Sequence, residues 1–575
     1  MLPAPALASR PIPPPAANLR AIPAAAVIAL AVAIYCALAF FRLGSYDLAA
    51  DEGRFGLSGA NILLDYHQLA TVSQEPLGNP GTQPYFYPLT LAMSIALLGR
   101  TEVAVRSVNG IVLLVAAFLL YGAARLLLRD RTTAPLVFAL FLLNPGTITY
   151  ARTALPEPLT VCCGCAALWA TARWNERRQL VWAAFSGVML GLGFVTKIWL
   201  VLPFVLACGT VYLVAFWRKE GGRTIPSAAV WLASLAIISA SHILLVVLLN
   251  PRVLAYWVNI YFGFALNSRF AGAGYDPDMW YRPCWFYLAA TFKATFFALP
   301  LLVLGCVAVA RRRDAGLALL LVALVTPLAL FSIMRVKQAS YIFPVFPGLM
   351  ILIALGCLRL LQRPGRGEMA FAFLTSAATA LFFFSHGVFG ARELAAIAGI
   401  YVVFLAAAFM PARRLSQVRG AILAAAFGAM LLASAVAVRG TLQHRTGFHE
   451  IASFFHSQLE RHDARDVSFI APEFPSMEFY TFRHGEYWQT FYFHKSDDAF
   501  LSDMKSGAQI FYVVDRSGAL YGGKPSTEKL AALAMYSTDV TSEIEKYAAR
   551  PLSVQVFVPV PRASVPALAM GPASE

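Results

Sequence analysis

Charge is what this sequence has little of. Only 13% of its 575 residues are charged, while 59% are hydrophobic; a soluble domain carries about twice that charged share. The surplus of 46 Lys and Arg over 31 Asp and Glu, formally +15, therefore has to be read by position relative to a membrane. A basic, water-soluble nucleic-acid binder is excluded. Also missing is any phosphate-cradling glycine-rich loop of the GxxxxGKS type, which disfavours ATP or a nucleotide sugar as substrate. Cysteine is absent from residues 439–575. Seven of the eight lie within apolar stretches (Cys36, Cys162, Cys163, Cys165, Cys208, Cys306 and Cys357), and Cys284 borders one. Cys162, Cys163 and Cys165 have no neighbouring His or carboxylate in sequence, so they read as small packing residues rather than metal ligands.

What is present is a long series of apolar runs. They fall near 22–42, 104–128, 133–150, 156–173, 180–195, 198–217, 228–249, 286–310, 315–334, 339–361, 368–388, 392–411 and 419–438. At about 20 residues per crossing, the expectation is an all-α polytopic membrane bundle of about thirteen helices in residues 22–438. Residues 1–21, rich in Pro and Ala, read as a disordered cytoplasmic lead. Loop charge tests this count independently, because short cytoplasmic connections collect Lys and Arg. Alternate connections are basic: Arg125, Arg129 and Arg131; Arg173, Arg177 and Arg178; Arg218, Lys219 and Arg223; Arg311, Arg312 and Arg313; Arg359, Arg363 and Arg366; Arg413, Arg414 and Arg419. This pattern places the N-terminus inside and, after an odd number of crossings, the C-terminus outside, with the chain in the plasma (inner) membrane.

Two connections on the opposite side are long, 43–103 and 250–285, a length that usually marks function. Residues 439–575 change character, with 13 basic and 16 acidic residues. The stretches DVSFIAPEF, QIFYVVDRS and LSVQVFVPV have strand patterning, while HEIASFFHSQLERH and STEKLAALAMY are amphipathic, so this tail reads as an exported, soluble α/β domain. Six of the nine histidines lie there without metal-ligand spacing.

Acids and cations recur at helix ends on one face. Asp51 and Glu52 follow the first apolar run, with Arg54 two residues on. Glu157 enters a helix directly after Pro156, and a carboxylate at such a boundary is costly unless partnered or employed. Lys197 interrupts GLGFVTKIWL, and Arg335 and Lys337 sit in FSIMRVKQASYIFPVFP. Such a face suits a lipid-linked anion, its phosphate held by cations and its tail between apolar helices, and a reaction that needs a carboxylate base.

The strings DEGRF, ARTALPEPLTV, GLGFVTK, SRFAGAG followed by RPCWFYL, and VKQASYIFPVFP resemble, in that order, the glycosyltransferase C superfamily, in the branch of protein O-mannosyltransferases and the lipid A aminoarabinose transferase. The resemblance spans roughly residues 22–360. It implies a membrane enzyme that takes a hexosyl or pentosyl group from a polyprenyl-phosphate carrier on the exported side, usually with inversion, and passes it to a lipid, glycan or protein acceptor. It also implies that Asp51 is the acidic catalytic candidate, with Glu52 and Arg54 as companions, and that Glu157 is the second acid, at a position normally Asp. Lys197, Arg269 and Lys337 would contact the carrier phosphate or anchor loops, and Tyr341 joins them as substrate-binding. No cofactor is singled out; a divalent metal is compatible but not indicated. One departure stands out: where the aminoarabinose branch has Glu-Lys-Pro-Pro, this chain reads PYFYPLT, with Phe86 and Tyr87 before Pro88. A flippase of lipid-linked sugars is the competing reading, but transporters often show repeated halves, and the long loops here are unequal and occur once each. A structural or assembly protein would not need Asp51, Glu157 and Lys197 at helix ends.

Overall fold

The structure, a computed structural model, describes residues 24–64, 84–128, 132–218, 222–249, 281–295, 298–312, 315–362, 364–387, 412–443, 447–459, 467–470, 490–491, 509–515, 527–546 and 554–559, with a few isolated positions besides. The chain divides into two compact units. One comprises residues 1–41, 82–87 and 109–439, the other residues 42–81, 88–108 and 440–575.

The first unit is helical, as apolar sequence in lipid must be if every backbone N–H and C=O is to find a partner. Among the described residues of the chain, seven helices are long and apolar enough to cross a membrane, or nine if each of two bent pairs is one crossing. The chain is thus an integral membrane protein of polytopic helical fold. The segment expected at 392–411 lies almost wholly outside the described residues. Helices begin where proline permits: Pro158, Pro203 and Pro347 occupy first-turn positions, where the missing N–H costs nothing. One bent pair, Thr133–Leu143 and Pro145–Ala151, turns by 56° at Asn144, whose side chain accepts the Gly146 N–H and caps the second helix.

Helix Ala339–Leu361 lies at the centre, 94% buried across its apolar window, whereas Thr224–Leu249, at 11%, is peripheral. The central helix packs on Leu299–Arg312 at a crossing of bare backbone. A Cβ added at Gly305 would land on the Leu352 carbonyl, and one at Gly356 on the Leu301 carbonyl, so two small residues set this close approach.

The second unit holds more structure than a loop and a tail. The connection read as 43–103 contains helices Ala50–Leu64 and Phe86–Leu98; the latter, whose first two residues count with the first unit, is apolar but only 13 residues long and so too short to be read as a crossing. From the tail comes a five-stranded mixed sheet of β1 (Val467–Ile470), β2 (Thr490–Phe491), β3 (Gln509–Asp515), β4 (Ser537–Asp539) and β5 (Val554–Pro559) in the order β2-β1-β3-β5-β4. β1 pairs parallel with β2 and β3, and β5 antiparallel with β3 and β4. Helix Phe448–Leu459 covers one face, with Phe448, Ile451 and Phe455 against Phe511, Val513, Val554 and Val556.

Gly356→Ala should lower the stability of the detergent-solubilised protein by at least the roughly 1–3 kcal/mol typical of overpacking, seen as a fall in melting temperature. Gly428→Ala, where an added methyl meets nothing within 4 Å, should leave it unchanged or raise it slightly.

Candidate active site

In the second unit, Asp51 and Glu52 are adjacent but live in different environments. Glu52 is buried, 4% exposed, and faces Arg106, which is fully buried. The guanidinium forks onto the carboxylate, Nε to Oε1 at 2.9 Å and Nη2 to Oε2 at 2.8 Å. Its remaining donors reach the carbonyls of Leu43 (3.2 Å), Tyr46 (2.8 Å) and Asp47 (2.6 Å), and the Tyr46 ring lies 3.7 Å from its centre. Glu52 Oε2 also accepts the Ala49 N–H at 2.9 Å, half of a capping box at the start of Ala50–Leu64. Glu52 is thereby spent on structure. Asp47, not singled out from the sequence, is buried too; its Oδ2 accepts the N–H groups of Gly447 (2.6 Å) and Phe448 (3.3 Å). Gly447 has φ of +84°, a backbone that favours glycine.

With segment 43–49 held in this way, Asp51 stands in the first helical turn with its side chain exposed. Among the described residues it has no ion-pair or hydrogen-bond partner for its carboxylate. Arg54, one turn on, is half-buried, and its Nε has no partner among the described residues.

The first unit carries the second constellation. Glu157 opens helix Glu157–Arg177, 1% exposed, where unpaired N–H groups favour an acid. Its Oε1 accepts from Lys197 Nζ at 2.6 Å, while its Oε2 is buried with no hydrogen-bond partner among the described residues. Lys197 stands at an extended junction between helix Leu180–Phe194 and a short 3₁₀ turn, Ile198–Val201; its ammonium lies 5.3 Å from the centre of the Tyr341 ring. Tyr341 is itself buried.

Two residues the sequence reading passed over fix the turn that presents Glu157. Arg152, fully buried, donates through Nη1 to the carbonyls of Leu38, Ala39 and Phe41, capping the C-terminal end of helix Ala24–Phe40. Asn109 donates to the carbonyls of Thr153 (2.5 Å) and Leu155 (2.8 Å). An arginine buried against an apolar helix must be partnered; applied to Arg106 and Arg152, that rule finds both in the sequence.

Lys337 is buried, and its ammonium donates to the carbonyls of Arg282, at 2.9 Å, and Met334. It braces the join between segments 281–282 and 334–337, where Tyr281 bridges Val336. Burial pushes the pKa of this ammonium below its ordinary value. Arg269 lies outside the described residues. At the departure from the branch pattern, Phe86 donates its N–H to the Val195 carbonyl at 3.3 Å, and Tyr85 shares a 2.9 Å hydrogen bond with Ser241. Among the described residues no three His, Cys, Asp or Glu side chains converge as metal ligands.

Removing one partner of the Glu52–Arg106 pair strands a buried charge, at a cost of about 3–5 kcal/mol. Arg106→Leu should therefore abolish folding or lower the melting temperature steeply. Glu52→Gln, which keeps one acceptor and one donor, should fold with less damage; if Arg106→Leu melts like wild type, the clamp does not hold this segment.

The family described as dolichyl-phosphate-mannose-protein mannosyltransferase matches residues 82–244. An undecaprenyl phosphate-alpha-4-amino-4-deoxy-L-arabinose arabinosyl transferase of Pseudomonas aeruginosa is 28% identical over 322 residues, 50% of this chain and 54% of that protein. The chain thus spans about half the length of the curated relatives it matches. Of solved structures, ArnT from Cupriavidus metallidurans, crystallised bound to undecaprenyl phosphate, shares the fold with a TM-score of 0.63 over 94% of this chain and 99% of that one, at 16% identity. Arabinosyltransferase EmbB from Mycobacterium smegmatis gives a TM-score of 0.52 over 76% of this chain and 44% of that one, also at 16% identity. The chain has the fold of the glycosyltransferase C superfamily, and its resemblance to the aminoarabinose transferase-like branch is borne out by the family match, the relatives and the fold together.

Proposed function

We propose that this chain is a membrane glycosyltransferase that moves a sugar from a polyprenyl-phosphate carrier to an envelope acceptor on the exported face of the inner membrane. The observation that carries the reading is the exposed Asp51 carboxylate, unpaired among the described residues and held at a helix start by a neighbour that is itself fully engaged. A hydroxyl acceptor must lose a proton as the carrier phosphate departs, and a positioned carboxylate supplies that base. Arg54, on the same helix, is suited to hold an anionic group nearby.

Lys197 with Tyr341 forms the carrier-phosphate subsite in this reading, and Glu157 sets the ammonium in place while its second oxygen is left to accept a hydrogen bond from the sugar. Arg269 is assigned to the carrier phosphate from the motif order alone. Lys337 takes the loop-anchoring role, because its donors are turned onto backbone carbonyls. Thirteen crossings, a cytoplasmic N-terminus and an exported α/β domain from residue 439 complete the proposal, resting on the alternating basic connections.

The test is reconstitution of the purified chain with polyprenyl-phosphate sugars and a hydroxyl acceptor. Asp51→Asn should keep carrier binding and lose transfer by about 10²–10⁴-fold. Full transfer by that variant removes Asp51 from the mechanism. Movement of labelled carrier across liposomes with no sugar ever joined to an acceptor would identify a flippase instead. Lys197→Met is read together with Glu157→Gln, since the single change strands a buried carboxylate. The double variant should fold and bind carrier about tenfold or more weakly, the expected loss for one charge-assisted contact.

A further inference from the structure

A second charged centre in the membrane unit is built from residues that the proposed reaction does not use. Glu368, in the first turn of helix Arg366–Ser385, is buried at 8% exposure. Arg359, from the end of helix Phe346–Leu361, meets it with two hydrogen bonds of 3.0 Å, Nε to Oε2 and Nη2 to Oε1, and the Gly365 N–H adds a third at 3.3 Å. Arg311, from the end of helix Leu299–Arg312, pairs with the same carboxylate.

One carboxylate thus gathers two guanidiniums from two separate connections, and Arg366, exposed, opens the same helix two residues before it. Two guanidiniums answer one carboxylate, and Arg366 adds a further positive charge to the first turn of the same helix. The Arg311 side chain is 61% exposed, and among the described residues only its Nη2 is engaged. Topology alone asks only that basic residues lie on one side of the membrane; it does not ask them to converge on a point. The helix that begins here goes on to expose Phe371, Leu374 and Leu381, a face suited to lipid tails directly below the cluster.

We propose that Arg311, organised by the Arg359–Glu368 clamp, and Arg366, at the start of the helix that carries Glu368, bind the phosphate of an anionic phospholipid whose acyl chains lie along helix Arg366–Ser385. A net positive cluster at the end of a lipid-facing helix selects a headgroup of net negative charge over a zwitterionic one. Glu368 has a positioning role, since its oxygens are already occupied and it holds two basic segments together.

The experiment uses the full chain in a neutral detergent, with bound lipid followed by native mass spectrometry against phosphatidylglycerol, phosphatidylcholine and inorganic phosphate. Wild type should retain phosphatidylglycerol in preference to phosphatidylcholine, and inorganic phosphate at matched concentration should not displace it. The double substitution Arg311→Gln with Arg366→Gln should weaken phosphatidylglycerol binding about tenfold or more. The Arg359–Glu368 pair stays intact and the ion pair lost with Arg311 is largely exposed, so the melting temperature without lipid should fall by little. Arg177→Gln, an exposed arginine of another basic connection, should bind like wild type. Equal retention of the two lipids, displacement by inorganic phosphate, or wild-type binding by the double variant would overturn the proposal.

Discussion

The candidate site in the second unit depends on a single buried ion pair. Glu52 and Arg106 are taken out of water together, and the desolvation of each is offset only because nearly every donor and acceptor they carry is used. Replaced by well-packed apolar residues, such a pair gives up little stability, so its value lies in specificity of arrangement. Arg106 reaches three carbonyls within five residues, which fixes the path of segment 43–47, and Glu52 ties off the helix start at Ala49. Asp47, held in the same segment, reaches forward to the start of helix Phe448–Leu459. One guanidinium thereby registers the Asp51 helix and, through Asp47, the first helix of the tail.

The pair in the membrane unit has the opposite design. Glu157 and Lys197 also neutralise one another, through a contact of 2.6 Å to one carboxylate oxygen, while the other oxygen has no hydrogen-bond partner among the described residues. A buried acceptor without a donor costs about 1–3 kcal/mol, and in the proposed reading a hydrogen bond from the sugar offsets that cost. The contrast between a saturated acid and an unsaturated one separates the structural carboxylate from the candidates for chemistry.

Much of the fold was legible in composition and hydropathy, because a bilayer leaves a chain few options: long apolar runs must be helices. The helices of the first connection were not, since Ala50–Leu64 opens with DEGR and Phe86–Leu98 is too short to announce a crossing. Asp51, Glu52, Glu157 and Lys197 could be picked out as costly charges near helix ends, and the meeting of Glu157 with Lys197 follows that logic. What the sequence did not reveal was that Glu52 and Asp51 differ, because the partner that distinguishes them lies 54 residues on, and the partner of Asp47 lies 400 residues on. Lys337 illustrates the same gap: a lysine at a helix end reads as available, but its ammonium faces the carbonyls of two segments brought together by tertiary structure.

The central claim, transfer of a sugar from a polyprenyl-phosphate carrier, is tested most directly in the envelope of the cell that makes this protein. Mass spectrometry should compare the glycolipids and glycoproteins of the parent strain, a strain lacking the gene, and the same strain complemented. The account predicts that one sugar disappears from one class of acceptor, that its carrier-linked precursor accumulates, and that complementation reverses both. An unchanged set of envelope sugars in the deletion strain would contradict it.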